Sequence, residues 1–222
     1  MPISFVKSAS TEPVVTYLAD VLTEHLTSGQ PVLWLLSGGS AVPVAVAAAE
    51  RLSPELLPWL TITLVDERYG PLGHKDSNWQ ALMSAGLPPG AKLLPVLTGA
   101  SLAATVASWS KELDQAISAA SLRLGLFGVG PDGHTSGILP NSDAVSATGT
   151  VYAYEGGGYE RITTTFETIK RLDEAVVYAI GESKRPVLER LNEDIPLAVQ
   201  PAQILKQLPK TTIFNDQIGE QA

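Results

Sequence analysis

Short apolar runs alternate with amphipathic stretches along most of this chain, and four of the apolar runs stop abruptly at a glycine-bearing or charged motif. Pro31–Leu36, Thr61–Val65, Leu122–Phe127 and Ala175–Ile180 read as buried strands, and Arg161–Phe166 and Thr211–Phe214 as further strands. Between them, Val14–Leu26, Ala41–Leu52, Ser77–Ala85, Leu102–Ala119 and Arg185–Leu191 carry helical spacing, with Ser77 as an N-cap and a further helix around Ala202–Leu208. Strand and helix in alternation restrict the chain to an α/β arrangement in which crossover helices join parallel strands.

The expected fold is therefore a single Rossmann-like α/β domain over residues 1–222, an open and mostly parallel sheet with helices on both faces. Asn141–Gly158, rich in Ser, Gly and Thr, reads as a surface excursion. With 45% hydrophobic and 17% charged residues, the chain is well supplied for a core. A net charge of −8 argues against a nucleic-acid groove, which needs clustered Lys and Arg, but not against a small anion held by two or three local cations. Cysteine is absent, which removes disulfides, thiolate nucleophiles and Cys-based metal sites. His25, His74 and His134 are scattered, so no metal site is expected. MPISFVKSASTEP lacks the pattern of a signal peptide, and no apolar run reaches bilayer length, so a cytoplasmic protein without a membrane partner is expected.

In a parallel sheet all carboxyl ends face one way, and ligands bind there. The four motifs are thus candidates for one cleft. Ser37, Gly38, Gly39 and Ser40 join a strand to a helix. Such a turn can present backbone N–H groups to a phosphate, although an ordinary βα turn needs glycine for the same steric reason. Asp66-Glu67-Arg68 offers a guanidinium for bidentate phosphate binding and, in Asp66, a proton acceptor or hydroxyl-binding group; a solvated charge cluster or an internal ion pair is the plainer alternative. Lys184, after Gly181, and Arg161, opening ERITTTF, are further cations that can reach such a cleft.

The fourth motif carries the chemistry. Gly128 to Pro140 reads GVGPDGHTSGILP, a stiff loop with Asp132 and His134 two residues apart. An imidazole exchanges protons near neutral pH, and a neighbouring carboxylate can orient it. The literal G-x-G-x-x-G at Gly128, Gly130 and Gly133 is not a dinucleotide fingerprint, because Pro131, His134 and Pro140 interrupt the helix that should follow.

LSGGS at 36–40, VDER at 65–68, DSN at 76–78, the GVGPDGHTSGILP loop, RITTT at 161–165 and GESK at 181–184 together resemble the 6-phosphogluconolactonases, a group related to the glucosamine-6-phosphate deaminases. The resemblance spans nearly the whole chain in the family's order. It implies hydrolysis of 6-phosphoglucono-1,5-lactone without metal or cofactor; the sequence leaves monomer and homodimer both open. His134 would activate water, Asp132 would support the histidine or the sugar hydroxyls, and the Ser37–Ser40 turn, Arg68, Lys184 and Arg161 would hold the phosphate.

Two stretches depart from the family pattern. SGGSAVP stands where SGGSTP is usual, which displaces the helix entry and bears on Ser40. GHTSGILP stands where GHTASLFP is usual, with Leu139 for the aromatic and Gly137 adding freedom to the loop. Two rival functions are a glucosamine-6-phosphate deaminase and a non-catalytic sugar-phosphate binder of the same fold. The deaminases typically read GHIAFNEP and DEY, whereas Thr135–Pro140 contains no acid and the second motif is DER.

Overall fold

A computed structural model describes residues 3–221. In chain order the strands are β1 (Ser4–Lys7), β2 (Val32–Leu36), β3 (Leu60–Leu64), β4 (Asp66–Arg68), β5 (Lys92–Leu93), β6 (Leu122–Phe127), β7 (Val151–Gly156), β8 (Tyr159–Thr164), β9 (Glu174–Ala179), β10 (Lys210–Asn215) and β11 (Glu220–Gln221). The helices are α1 (Glu12–Thr27), α2 (Ala41–Ala49), α3 (Asn78–Ser84), α4 (Leu102–Ala119), α5 (Phe166–Ile169) and α6 (Arg185–Glu189).

Eight strands form one sheet in the order β11-β1-β10-β9-β6-β2-β3-β5, and every pairing in it is parallel. All residues of β2 and β9 are buried, which requires cover on both faces, as parallel sheets generally have. From β2 the chain runs outward through β3 to β5, then returns to lay β6 on the other side of β2. The strand order thus reverses between β2 and β6, which opens a crevice at their carboxyl ends. Those ends carry Ser37–Ser40 and the Gly128–Pro140 loop.

Beside this sheet stands a second one of three strands, β4-β8-β7, all antiparallel. It changes three sequence expectations. Asp66–Arg68, read as a charged motif at the end of β3, is itself a strand, with Asp66 opposite Thr163 and Arg68 opposite Arg161. The expected strand Arg161–Phe166 lies at Tyr159–Thr164, outside the parallel sheet, and Phe166 opens α5. The expected surface excursion Asn141–Gly158 contains β7, which forms a hairpin with β8 through Gly157 and Gly158, both with positive φ. A Gly-Gly pair between alternating strands is a hairpin signal that the surrounding Ser and Gly obscured.

Other differences lie at the margins. β1, β5 and β11 leave no apolar run because strands this short, at or next to the sheet edges, bury too little. The segment around Ala202–Leu208 is a 3₁₀ helix, Pro201–Gln207, and α6 is shorter than expected. Ser77 caps α3 as anticipated, its Oγ accepting from Gln80 N at 3.0 Å. Trp34 and Trp109 are fully buried, and Trp109 Nε1 donates to Thr63 Oγ1 at 3.2 Å, fixing α4 to β3. Among the described residues, no helix is long and apolar enough to cross a membrane.

Candidate active site

A cavity of about 270 Å³ opens at the carboxyl ends of β2 and β6. Ser37, Gly38, Gly39, Ser40, Asp66, Arg68, His134, Arg161 and Lys184 all line it. Asp132 is the only sequence-derived site residue that does not; it stands behind the imidazole. Asn78, Gly128, Val129, Gly130, Ser136 and Tyr178 complete the lining.

The Ser37–Ser40 turn enters α2 at Ala41, with Ser40 in the N-cap position and its side chain free of any capping bond. Ser37 N donates to Leu126 O at 2.9 Å, whereas the amides of Gly38, Gly39 and Ser40 meet no backbone acceptor among the described residues. These unpaired donors lie at the positive end of a helix, where an anion is favoured. Gly38 is required by a neighbour: a Cβ there would collide with the amide of Asn78.

Asn78 is held by β4. Its Nδ2 donates to Asp66 O at 3.0 Å, and its backbone N donates to Glu67 Oε1 at 2.7 Å. Glu67 is completely buried and faces away from the cavity. Its carboxylate also accepts from Arg68 N, Ser77 Oγ and Trp79 N at 2.7, 2.8 and 2.9 Å. Four donors replace the water a buried carboxylate would lose, and they lock the start of α3 to the strand bearing Asp66 and Arg68.

One face of the small sheet supplies most of the charge. Because alternate residues share a face, Asp66, Arg68, Tyr159, Arg161 and Thr163 lie together. Arg161 is buried, with Nη1 at 4.0 Å from Asp66 Oδ2 and Nε donating to Gly156 O at 2.8 Å. Burial pushes the Asp66 carboxyl above its ordinary value, against the opposing pull of Arg68 and Arg161. Lys184 reaches the cavity from the turn after β9. Partial burial lowers the pKa of its ammonium, with Asp132 acting in the opposite sense.

The loop from Gly128 to Pro140 is pinned to that same face. Tyr154 of β7 donates its hydroxyl to Gly137 O at 2.5 Å, and Gly137 N donates to Thr163 Oγ1 at 3.0 Å. Ser136 has a left-handed backbone, φ 54°, uncommon for a residue with a side chain. Its Oγ donates to Val65 O at 3.0 Å and lies 3.1 Å from Thr164 Oγ1, which secures the strained conformation. Gly137 does not loosen the loop as the sequence suggests. A Cβ there would sit 3.0 Å from the Cβ atoms of both Asp66 and Thr163, so glycine is needed for close approach.

Within the loop, His134 Nδ1 lies 2.6 Å from Asp132 Oδ1, which also accepts from His134 N at 3.2 Å. A carboxylate only accepts, so Nδ1 carries the hydrogen and Nε2 keeps its lone pair in the neutral ring. Asp132 titrates below its ordinary value: partial burial works upward, but the imidazole and the loop amides outweigh it. Gly130 makes room for the pair, since a Cβ there would strike both side chains. The arrangement can take a proton at His134 and hold an anion at the cations and free amides of one cavity.

The sequence profile of the glucosamine-6-phosphate isomerases/6-phosphogluconolactonase family matches residues 7–214. A 6-phosphogluconolactonase of Rhizobium meliloti is 30% identical over 166 residues, covering 69% of this chain and 70% of that protein. The human 6-phosphogluconolactonase is 29% identical over 177 residues, covering 72% of this chain and 67% of its own length. Among solved structures, 6-phosphogluconolactonase from Thermotoga maritima superposes with a TM-score of 0.79 at 24% identity, covering 96% of this chain and 98% of that one. The enzyme from Leishmania guyanensis gives 0.80 at 19% identity, with 97% and 96% covered. This chain belongs to the family of glucosamine-6-phosphate isomerases and 6-phosphogluconolactonases.

Proposed function

We propose that this protein hydrolyses 6-phosphoglucono-1,5-lactone to 6-phosphogluconate. The observation that carries the reading is the meeting, around one cavity, of an imidazole with a free Nε2 and a set of anion donors drawn from four separate segments. Curated relatives bearing the name 6-phosphogluconolactonase support it.

The phosphate is held by the amides of Gly38, Gly39 and Ser40 with Arg68, Arg161 and Lys184. His134 Nε2 takes a proton from water as the water oxygen bonds to the lactone carbonyl carbon. The bond from that carbon to the ring oxygen then breaks, and His134 returns its proton to the departing oxygen, leaving an open-chain acid. Asp132 touches no substrate in this scheme; it fixes the tautomer and balances the imidazolium. Asp66 holds Arg161 and accepts from a sugar hydroxyl.

The test is hydrolysis of freshly prepared lactone by the purified protein, followed by NMR against an uncatalysed control. A rate equal to that control would end the reading. Ammonia release from glucosamine 6-phosphate is expected to be absent, since residues 135–140 add no carboxylate to the loop.

A further inference from the structure

Arg68 and Arg161 face each other directly across the β4–β8 pair. Like charges at such a position, with Cβ atoms roughly 5 Å apart, repel. Asp66 is the one buried carboxylate on that face, so it offsets only one of the two charges. Asp66 stands 4.0 Å from Arg161, and Arg68 forms no salt bridge among the described residues. Arg68 Nη1 donates to Asp76 O at 3.1 Å, yet its Nε is buried without an acceptor. What both guanidiniums share is the ring of Tyr159. The Arg68 Cζ lies 5.3 Å from the ring centroid and the Arg161 Cζ 5.5 Å. Tyr159 sits two residues before Arg161 on the same face of β8, opposite Gly156, which offers no side chain to displace the ring.

We infer that Tyr159 is a positioning residue: its ring seats both guanidiniums side by side and so preforms a clamp for a dianionic phosphomonoester. The negative face of an aromatic ring attracts a cation, and one ring serving two arginines offsets their repulsion before any anion arrives. Two guanidiniums and Lys184 against the single Asp66 carboxylate leave the clamp an excess of two positive charges, which together with the unpaired Nε of Arg68 favours a phosphate ester over a singly charged group of similar size. The inference rests on the reading of this cavity as a sugar-phosphate site.

The experiment compares wild type with Tyr159→Leu and Tyr159→Phe, measuring Kd for 6-phosphogluconate and for inorganic phosphate by calorimetry, together with KM and kcat for the lactone. In Tyr159→Leu both Kd values and KM rise about tenfold while kcat stays within about twofold. Tyr159→Phe keeps the ring face and restores all of them to within about twofold. Unchanged Kd values in Tyr159→Leu overturn the inference, as does equal weakening in both variants, which would assign the effect to the hydroxyl. Should Tyr159→Leu fail to fold, phenylalanines bearing one, two or three ring fluorines at position 159 drain the ring's negative face at nearly constant shape. Affinity then falls with each fluorine, and a flat series overturns the inference. Wild-type protein that binds phosphate and responds to this series but leaves the lactone intact would sink the proposed reaction and leave the clamp standing. Wild-type protein that binds neither anion would overturn the clamp itself.

Discussion

His134 and Asp132 are joined at 2.6 Å through Nδ1, so the imidazole meets the cavity with Nε2 alone. Replacing His134 with Gln keeps a polar side chain of similar reach but removes the proton carrier. The expected result is a kcat lower by about 10²–10³-fold with little change in KM. A kcat close to wild type would dismiss His134 as the base.

Asp132→Asn tests the other half of the pair. The amide no longer favours hydrogen on Nδ1, and kcat is expected to fall by at least about tenfold. The substitution also has a pH signature. Because the folded pKa of Asp132 is lowered, its contribution to stability is fully present above the unfolded value and is lost as pH falls through the folded one. Below about pH 4 the Tm of wild type should therefore drop more steeply than that of Asp132→Asn. Parallel melting curves across that range would contradict the assignment.

Lys184 supplies an alkaline limb. Burial lowers its pKa, so the cation is lost at a lower pH than an exposed lysine, whose value is about 10.4. Affinity for 6-phosphogluconate should weaken as pH rises through that lowered value. Lys184→Arg should flatten the profile, because a guanidinium stays charged there. Lys184→Met should raise KM for the lactone at every pH. An alkaline limb that persists in Lys184→Arg would point to another group.

Gly130→Ala places a methyl group against the His134–Asp132 pair. The fold has no reason to fail, since the contact is with the side chains of His134 and Asp132, both partly exposed to solvent. We expect kcat to drop by about tenfold or more with KM retained. Crystals of the variant should show the imidazole turned from its position, and an unmoved ring with full activity would refute the steric account.

Glu67→Gln probes the buried carboxylate behind the site. Its four donors would then face an amide that can accept at only one of its two atoms. A loss of roughly 2–3 kcal/mol in unfolding free energy is expected, read by urea denaturation. No change beyond a few tenths of a kcal/mol would mean that the hydrogen bonds are made equally well by water in the unfolded chain.

Much of this site was legible because strand-end chemistry is local in sequence. Ser37–Ser40 and the Asp132–His134 loop each follow their strand at once, and a parallel sheet gathers such ends without any long-range information. Asp66 and Arg161 are different. Their proximity depends on β4 leaving the large sheet to pair with β8, and nothing within Asp66-Glu67-Arg68 announces that partner. Tyr178 lies in a strand buried throughout, so its place in the cavity wall had no periodic or compositional mark. Glu67 looked like one more surface charge until four donors were found around it. Gly137 was misread for a physical reason: glycine serves flexibility and close approach equally, and only the neighbouring Asp66 and Thr163 decide between them.

The first strand of the large sheet draws its partners from the far end of the chain: Ser4 pairs with Thr212, and Val6 with Glu220. During synthesis, β1 therefore emerges long before its partners and waits unpaired until β10 has been translated. The central strands β2, β3, β6 and β9 are complete well before then and can form a nucleus with shorter loops to close. Closing this edge is accordingly a late event on the ribosome. Until it happens, the nascent protein exposes the free edge of β9 as a template for unwanted pairing.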